Sequence, residues 1–287
     1  MNEKMNVSFL SYRCSMCDSR FTTSSNITIC PVCGHDCLEQ VESMDVSDYS
    51  IVTSHYTLDD AIKDYKSKIK FRLFLPFLFR RKSTIHRIQK VFLPCVFYRA
   101  EVSGEIVFLC AEKIKGISAI PSQKYECGYK VNISFPNLLL CSFSKISDEM
   151  FSVIHDSKSM DLQFSDFSKY QNELFLYEDE DLDFNREKIK DKMMKYSMKI
   201  VRGDVPHSLK KLKENKLNSK IIQEEKVFIP VFMVDVFYRH KNYIYMMNAN
   251  TGKSIVSISN SFIMIFLFSI CVFLGIFSLI LLFLFII

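Results

Sequence analysis

Tryptophan is absent from the 287 residues, and glycine and proline number only seven each. So little glycine excludes collagen-like and glycine-rich disordered chains, and 48% hydrophobic residues exclude an intrinsically disordered one. The glycine-rich phosphate cradles of nucleotide enzymes are missing as well. Asn250-Thr251-Gly252-Lys253-Ser254 ends in Gly-Lys-Ser but lacks the glycine-rich approach, and it reads as a hairpin turn. No His-Glu-x-x-His occurs, and the six histidines are widely scattered. Asp148 and Glu149, or the acidic cluster Glu178-Asp179-Glu180-Asp181, could make a carboxylate pair, and sequence gives no cleft for either. We therefore expect no enzyme and no small-molecule substrate. Met1 to Leu10 has no long apolar run, so no N-terminal signal peptide is expected.

Charge is absent from one long stretch. Phe262 to Ile287 contains no Asp, Glu, Lys or Arg and is almost wholly Phe, Ile, Leu, Val and Met. At 1.5 Å per residue it is long enough to cross a hydrocarbon core of roughly 30 Å with some tilt. This predicts a single transmembrane helix over 260–287 and a single-pass protein of the cell membrane, with its N-terminal body in the cytoplasm.

Ten cysteines are present, and four have metal-ligand spacing. Cys14-Ser15-Met16-Cys17 and Cys30-Pro31-Val32-Cys33-Gly34 form C-x2-C, twelve residues, C-x2-C. Each pair makes a tight knuckle aiming two thiolates at one ion, and Gly34 relieves the backbone after the second. Phe21 to Thr23 and Ile27 to Ile29 are expected to form the hairpin between them. Four thiolates favour tetrahedral zinc and leave no open position, so Cys14, Cys17, Cys30 and Cys33 predict a structural zinc ribbon over 1–40. His35 and Cys37 are bystanders to a complete ligand set. The remaining cysteines are scattered, which fits a reducing compartment.

The net charge of +5 is mild, but it is unevenly placed. Between Lys63 and Lys90 lie ten basic residues and one acidic one, Asp64. Lys63, Lys66, Lys68, Lys70, Arg72, Arg80, Arg81 and Lys82 surround the apolar run from Phe71 to Phe79, which suits contact with lipid or another polyanion. Pro76 forbids a clean helix there. A buried strand-turn element with charged flanks is the other reading of the same run.

Residues 41–56 are polar and acidic and read as a linker, followed by an α+β, strand-rich body over 57–259. Thr57-Leu58-Asp59-Asp60 has capping-box spacing and opens a helix to about Lys70. Lys90-Val91-Phe92-Leu93-Pro94 is echoed by Lys226-Val227-Phe228-Ile229-Pro230, and each copy leads into a strand-rich run. Related hairpins are expected near 90–110, turning at Ser103-Gly104, and near 226–247, turning at His240 to Asn242. Asn185 is expected to cap a helix from Arg186 to about Ile200, and Ser208 a second from Leu209.

These pieces together resemble a bacterial family of membrane-anchored zinc-ribbon proteins with a transcription-factor-B-type ribbon. The resemblance rests on the two Cys pairs, the Ala61-Ile62-Lys63-Asp64-Tyr65 helix and the two Val-Phe-x-Pro strands. Met246-Met247-Asn248-Ala249-Asn250-Thr251-Gly252-Lys253 before the apolar stretch is its most characteristic part. Family members more often carry Trp after the strand Pro, whereas this chain has Phe97 and Phe232 nearby, and many continue past the first span. Some are misnamed after a primosomal helicase, whose motifs this chain lacks. The resemblance implies a cytoplasmic body, structural zinc and a protein partner in a membrane-stress or membrane-organisation assembly. A non-catalytic adaptor or scaffold is thus expected. The alternative is a membrane-tethered nucleic-acid-binding or regulatory protein, which the thin basic character of the ribbon does not favour.

Overall fold

The structure, a computed structural model, describes residues 10–24, 27–42, 48–111, 124–147, 150–151, 164–165, 167–170, 173–179, 182–205, 209–258 and 260–286. Asp148, Glu149, Glu180, Asp181, Ser208, His155 and His207 lie outside the described residues. The chain divides into two compact units, one built from Met1–Ile51, Leu93–Ile146 and Phe164–Phe228, the other from Val52–Phe92, Ser147–Gln163 and Ile229–Ile287. Two long strands, β5 (Thr84–Ala111) and β9 (Leu209–Tyr238), each run through both. They change unit within the two echoed motifs, after Phe92 and after Phe228.

The first unit begins with three short strands, β1 (Leu10–Cys14), β2 (Arg20–Thr23) and β3 (Leu38–Val41). β1 pairs antiparallel with both others, with Tyr12 opposite Phe21 and Arg13 opposite Glu39. β2 continues onto β8 (Leu174–Leu176), with Phe21 opposite Leu176, and β8 neighbours β5. β4 (Ser50–Val52), inside the stretch expected to be a linker, pairs in parallel with β9 through Ser50 and Ile51; β7 (Phe164–Ser165) lies beside β4. The main hairpin is β5 with β6 (Tyr125–Cys141), in register from Cys95 opposite Cys141 to Cys110 opposite Tyr125, with one irregularity between Tyr98 and Ala100.

The long helix here, which we number α3 (Leu182–Asp204), buries Asn185, Ile189, Met193, Ser197, Val201 and the following Val205, a row at intervals of four residues. Ile189 packs on Val96, Tyr98 and Leu140; Met193 on Ala100 and Val102; Val201 and Val205 on Ile106, Phe108 and Val131. Fully burying each such aliphatic side chain contributes roughly 1.5–3 kcal/mol. Asn185 is therefore not the N-cap that sequence suggests. It is buried three residues inside the helix and donates from Nδ2 to the Ser142 hydroxyl at 3.2 Å.

In the second unit α1 (Leu58–Phe71) starts at the expected capping box: Thr57 accepts from the Asp60 N–H, and Asp60 accepts from the Thr57 N–H at 3.0 Å. Its buried face of Ala61, Tyr65 and Ile69 lies on Phe232, Val234, Tyr245 and Met247. Those residues belong to β9 and β10 (Lys241–Asn248), joined by a two-residue turn in which Arg239 and His240 both have positive φ. Two left-handed residues make the turn whose twist matches the strands, and it falls one residue earlier than expected. β11 (Ser254–Val256) returns along β10, as the Asn250 to Lys253 turn predicts. A short helix, α2 (Phe79–Lys82), sets the Phe79 ring 4.9 Å from that of Tyr238. The last element, α4 (Phe262–Ile286), is the expected apolar helix.

Three local expectations are overturned. Leu209 opens a strand, not a helix: Leu217 and Ile221 pack among Ala100, Val102 and Met193, and lateral pairing in the sheet overrides a Lys- and Leu-rich local preference for helix. No turn forms at Ser103-Gly104, because β5 runs straight through it. There Gly104, at φ +140°, lets the β9 backbone approach so closely that a Cβ would lie 2.2 Å from the Lys216 carbonyl oxygen. The first echoed strand accordingly turns back only as β6. Ile27 to Ile29 form no strand; the first Cys pair sits in the β1–β2 turn instead.

In both motif strands the Pro carbonyl accepts from the residue that follows the partner strand. Ser142 N–H donates to Pro94 at 2.9 Å in the first unit, and Ala249 N–H to Pro230 at 2.8 Å in the second. Pro lacks an N–H, so at these positions the ladder runs through its carbonyl alone.

Candidate metal centre and basic apolar loop

The two Cys pairs are built alike. Asp18 N–H donates to the Cys14 carbonyl at 2.7 Å and Gly34 N–H to the Cys30 carbonyl at 3.0 Å. Cys14 N–H returns to Ser19 and Cys30 N–H to His35. The closing residue is left-handed in each case, Asp18 at φ 57° and Gly34 at φ 81°. Glycine adopts that conformation without steric cost, and Asp is among the side chains that tolerate it best.

The four sulfurs all lie within 4.8 Å of one another. Cys14 Sγ is 3.6 Å from Cys33 Sγ, and Cys17 Sγ is 3.7 Å from Cys30 Sγ. A tetrahedral site with Zn–S bonds of about 2.3 Å needs sulfurs about 3.8 Å apart, so this donor set fits zinc and fills its coordination. Cys14 and Cys30 are buried, and Cys17 and Cys33 are half-buried. As thiols they sit in unequal surroundings. Burial raises Cys17, but hydrogen bonding with the Ser19 side chain and backbone, and with Cys33 and Cys30, together outweighs it and brings the thiol down to about 6. Burial pushes Cys30 up to about 12, against the N–H groups of Cys33 and Val32. Cys33 is raised as well, chiefly by burial.

A dication with four thiolates leaves two negative charges, and the surroundings answer part of that. The Lys145 ammonium, from the segment after β6, donates to the Cys17 carbonyl and the Ser19 hydroxyl. Nothing in the spacing of Lys145, 128 residues away, could have announced it. Cys37 stands apart from the cluster, its thiol facing Asp36 at 3.9 Å, and His35 contributes its carbonyl to the knuckle.

The eight basic candidates around the Phe-rich run divide into two groups. Three hold the second unit together. Lys68 Nζ donates to the Ser254 carbonyl at 2.5 Å and lies 3.8 Å from Asp64, itself held by the Tyr245 hydroxyl at 2.8 Å. Arg72 grips the lead-in to α4 through the Ile258 carbonyl and Asn260 Oδ1, the latter at 3.2 Å. Arg80 donates to the carbonyls of Ile69 and Arg72 at 3.1 and 2.7 Å, satisfying the C-terminal end of α1. The other five, Lys63, Lys66, Lys70, Arg81 and Lys82, are exposed. The apolar run between them is mixed in the same way: Leu75 and Phe79 are buried, but Phe71, Leu73 and Phe77 are 73%, 70% and 62% exposed. Neither a free loop nor a fully buried one describes it.

Among the described residues, one helix is long and apolar enough to cross a membrane: α4 from Phe262 to Phe283, 22 residues with none buried. No family model, no curated protein and no solved structure matches the chain.

Proposed function

We propose that the protein is a non-catalytic adaptor or scaffold, held in the cell membrane by α4 as a single span, with the N-terminal body that precedes α4 in the cytoplasm. Its ribbon would carry a structural zinc on Cys14, Cys17, Cys30 and Cys33, and present a rigid surface to a protein partner in a membrane-organisation or membrane-stress assembly. The single observation behind the reading is a pairing of features: a donor set with no open coordination position, and an apolar helix none of whose described residues is buried. The first supplies structure without chemistry, and the second supplies location. The resemblance to membrane-anchored zinc-ribbon proteins stands as part of this proposal. So does the idea that the two Val-Phe-x-Pro strands began as one repeated hairpin, supported by their matched Pro carbonyl bonds and by the helix packed on each hairpin.

The test is a comparison of full-length protein with a Cys14→Ser, Cys17→Ser variant. The native chain should float with liposomes after carbonate washing, carry one zinc per chain, and retain partners that the variant loses. Recovery in the soluble fraction, or identical partners for the two proteins, refutes the reading. The alternative, a membrane-tethered nucleic-acid binder, is weakened because three of its eight cations serve internal carbonyls. Duplex DNA binding that falls steeply between low and moderate salt would restore it.

A further inference from the structure

The loop after α1 is fastened to the apolar helix at a definite height. Ser261 N–H donates to the Phe74 carbonyl at 2.8 Å, and the Phe74 ring meets the Phe268 ring edge-on at 5.4 Å. Phe268 lies six residues into α4, about 9 Å along its axis at 1.5 Å per residue. If α4 spans a bilayer, that places the loop near the boundary between headgroups and acyl chains, where interfacial apolar side chains sit about 5–10 Å deep. The loop offers such side chains in Phe71, Leu73 and Phe77, all well exposed.

Charge at this level is one-sided. No Asp or Glu occurs between Tyr65 and Ala100. Arg72 and Arg80 are bonded to carbonyl and amide oxygens, which orient them without cancelling their charge. Lys68 is the exception, with Asp64 beside it. A shallow, open cleft of about 470 Å³ lies here, lined by Lys68, Phe71, Arg72, Ser254, Ile255 and Val256. It sets two basic side chains beside a mostly apolar wall, the two-part chemistry of a phospholipid.

We propose that the segment Phe71 to Lys82, with the cleft at Arg72, is a binding site for an acidic phospholipid in the leaflet that α4 enters. The phosphate lies against Arg72 and Lys68, Arg81 and Lys82 face the surrounding headgroups, and Phe71, Leu73 and Phe77 enter the acyl boundary. The proposal rests on α4 being a span, and it adds a lipid preference that a span alone does not require.

The test uses full-length protein in phosphatidylcholine nanodiscs with about 30 mol% phosphatidylglycerol, compared with phosphatidylcholine alone. Native mass spectrometry counts the phosphatidylglycerol retained, and hydrogen exchange follows the amides of 71–83. Retention should exceed the bulk ratio by about threefold or more, with slowed exchange in the acidic discs only. Arg81→Glu with Lys82→Glu, a pair in exposed positions, should return both readouts to the neutral-disc values while leaving the unfolding temperature unchanged. Phe71→Ser with Leu73→Ser and Phe77→Ser should do the same.

Equal retention of both lipids by the native protein, or unchanged enrichment in both variants, overturns the proposal. So does displacement of the lipid by duplex DNA, which would assign the cations to nucleic acid, or by millimolar inorganic phosphate, which would assign the cleft to a free anion. Protein missing from the disc fraction would instead refute the membrane reading itself.

Discussion

Gly104→Ala is the substitution for which the structure gives the sharpest number. The new Cβ would lie 2.2 Å from the Lys216 carbonyl oxygen and 2.9 Å from Leu217 Cα, both backbone atoms of β9. Ordinary contact needs about 3.4 Å or more, so β9 must move by over an ångström or β5 must change its φ of +140°. A non-glycine residue held in that region costs about 1–3 kcal/mol, and loosening the packing of Leu217 and Ile221 on Ala100 and Val102 adds about 1–2 kcal/mol. The sum is about 2–5 kcal/mol, a large part of a domain's usual margin. Gly128→Ala is the internal control. Gly128 lies opposite Val107 on β6, and a Cβ there meets nothing within 4 Å. Denaturant unfolding of full-length protein in one detergent should show a midpoint loss for Gly104→Ala and a change within about 0.5 kcal/mol for Gly128→Ala. Equal effects for the two would refute the close approach of β5 and β9.

The other predictions concern the cap, a partly buried ion pair and the metal. Thr57→Ala should cost about 1 kcal/mol by removing the acceptor for the Asp60 N–H, read by denaturation and by faster exchange in the first turn of α1. Hydrogen bonds from the Thr57 side chain and backbone hold the Asp60 carboxyl below its ordinary range. Its contribution is therefore complete above the unfolded pKa of about 3.9 and is lost as pH falls through the lower folded value. A native-minus-Thr57→Ala stability difference that persists unchanged at the acid end would contradict this. Arg87 reaches Asp235 through Nε at 2.8 Å and through a second nitrogen at 2.5 Å, with both side chains partly buried. Asp235→Ala should cost about 1–3 kcal/mol, and Arg87→Met with Asp235→Leu less, as a double-mutant cycle would measure. Cys30→Ser should abolish stoichiometric zinc in metal analysis, and acidification should release zinc from native protein, because protons compete for all four thiolates.

Features written in short-range chemistry were legible in the chain. The C-x2-C pairs bring their own turn geometry, so spacing alone brought Cys14, Cys17, Cys30 and Cys33 to one point. Thr57 and Asp60 lie one helical turn apart, and the cap follows from that separation. The helix from Phe262 needs no neighbour to be recognised, since its length and lack of charge decide what solvent it suits. Long-range pairing was invisible for the opposite reason. Residues 209–220 carry a helix former's composition, yet packing with Ala100, Val102 and Met193 holds them in a strand. Gly104 looks like a turn residue in isolation and is a clearance for another strand in space. Among the basic residues, composition gave the sign of the charge. Tertiary structure alone decided that Arg72 and Arg80 brace the loop while Arg81 and Lys82 stay exposed, because a guanidinium's role depends on which carbonyls the fold brings within about 3 Å of it.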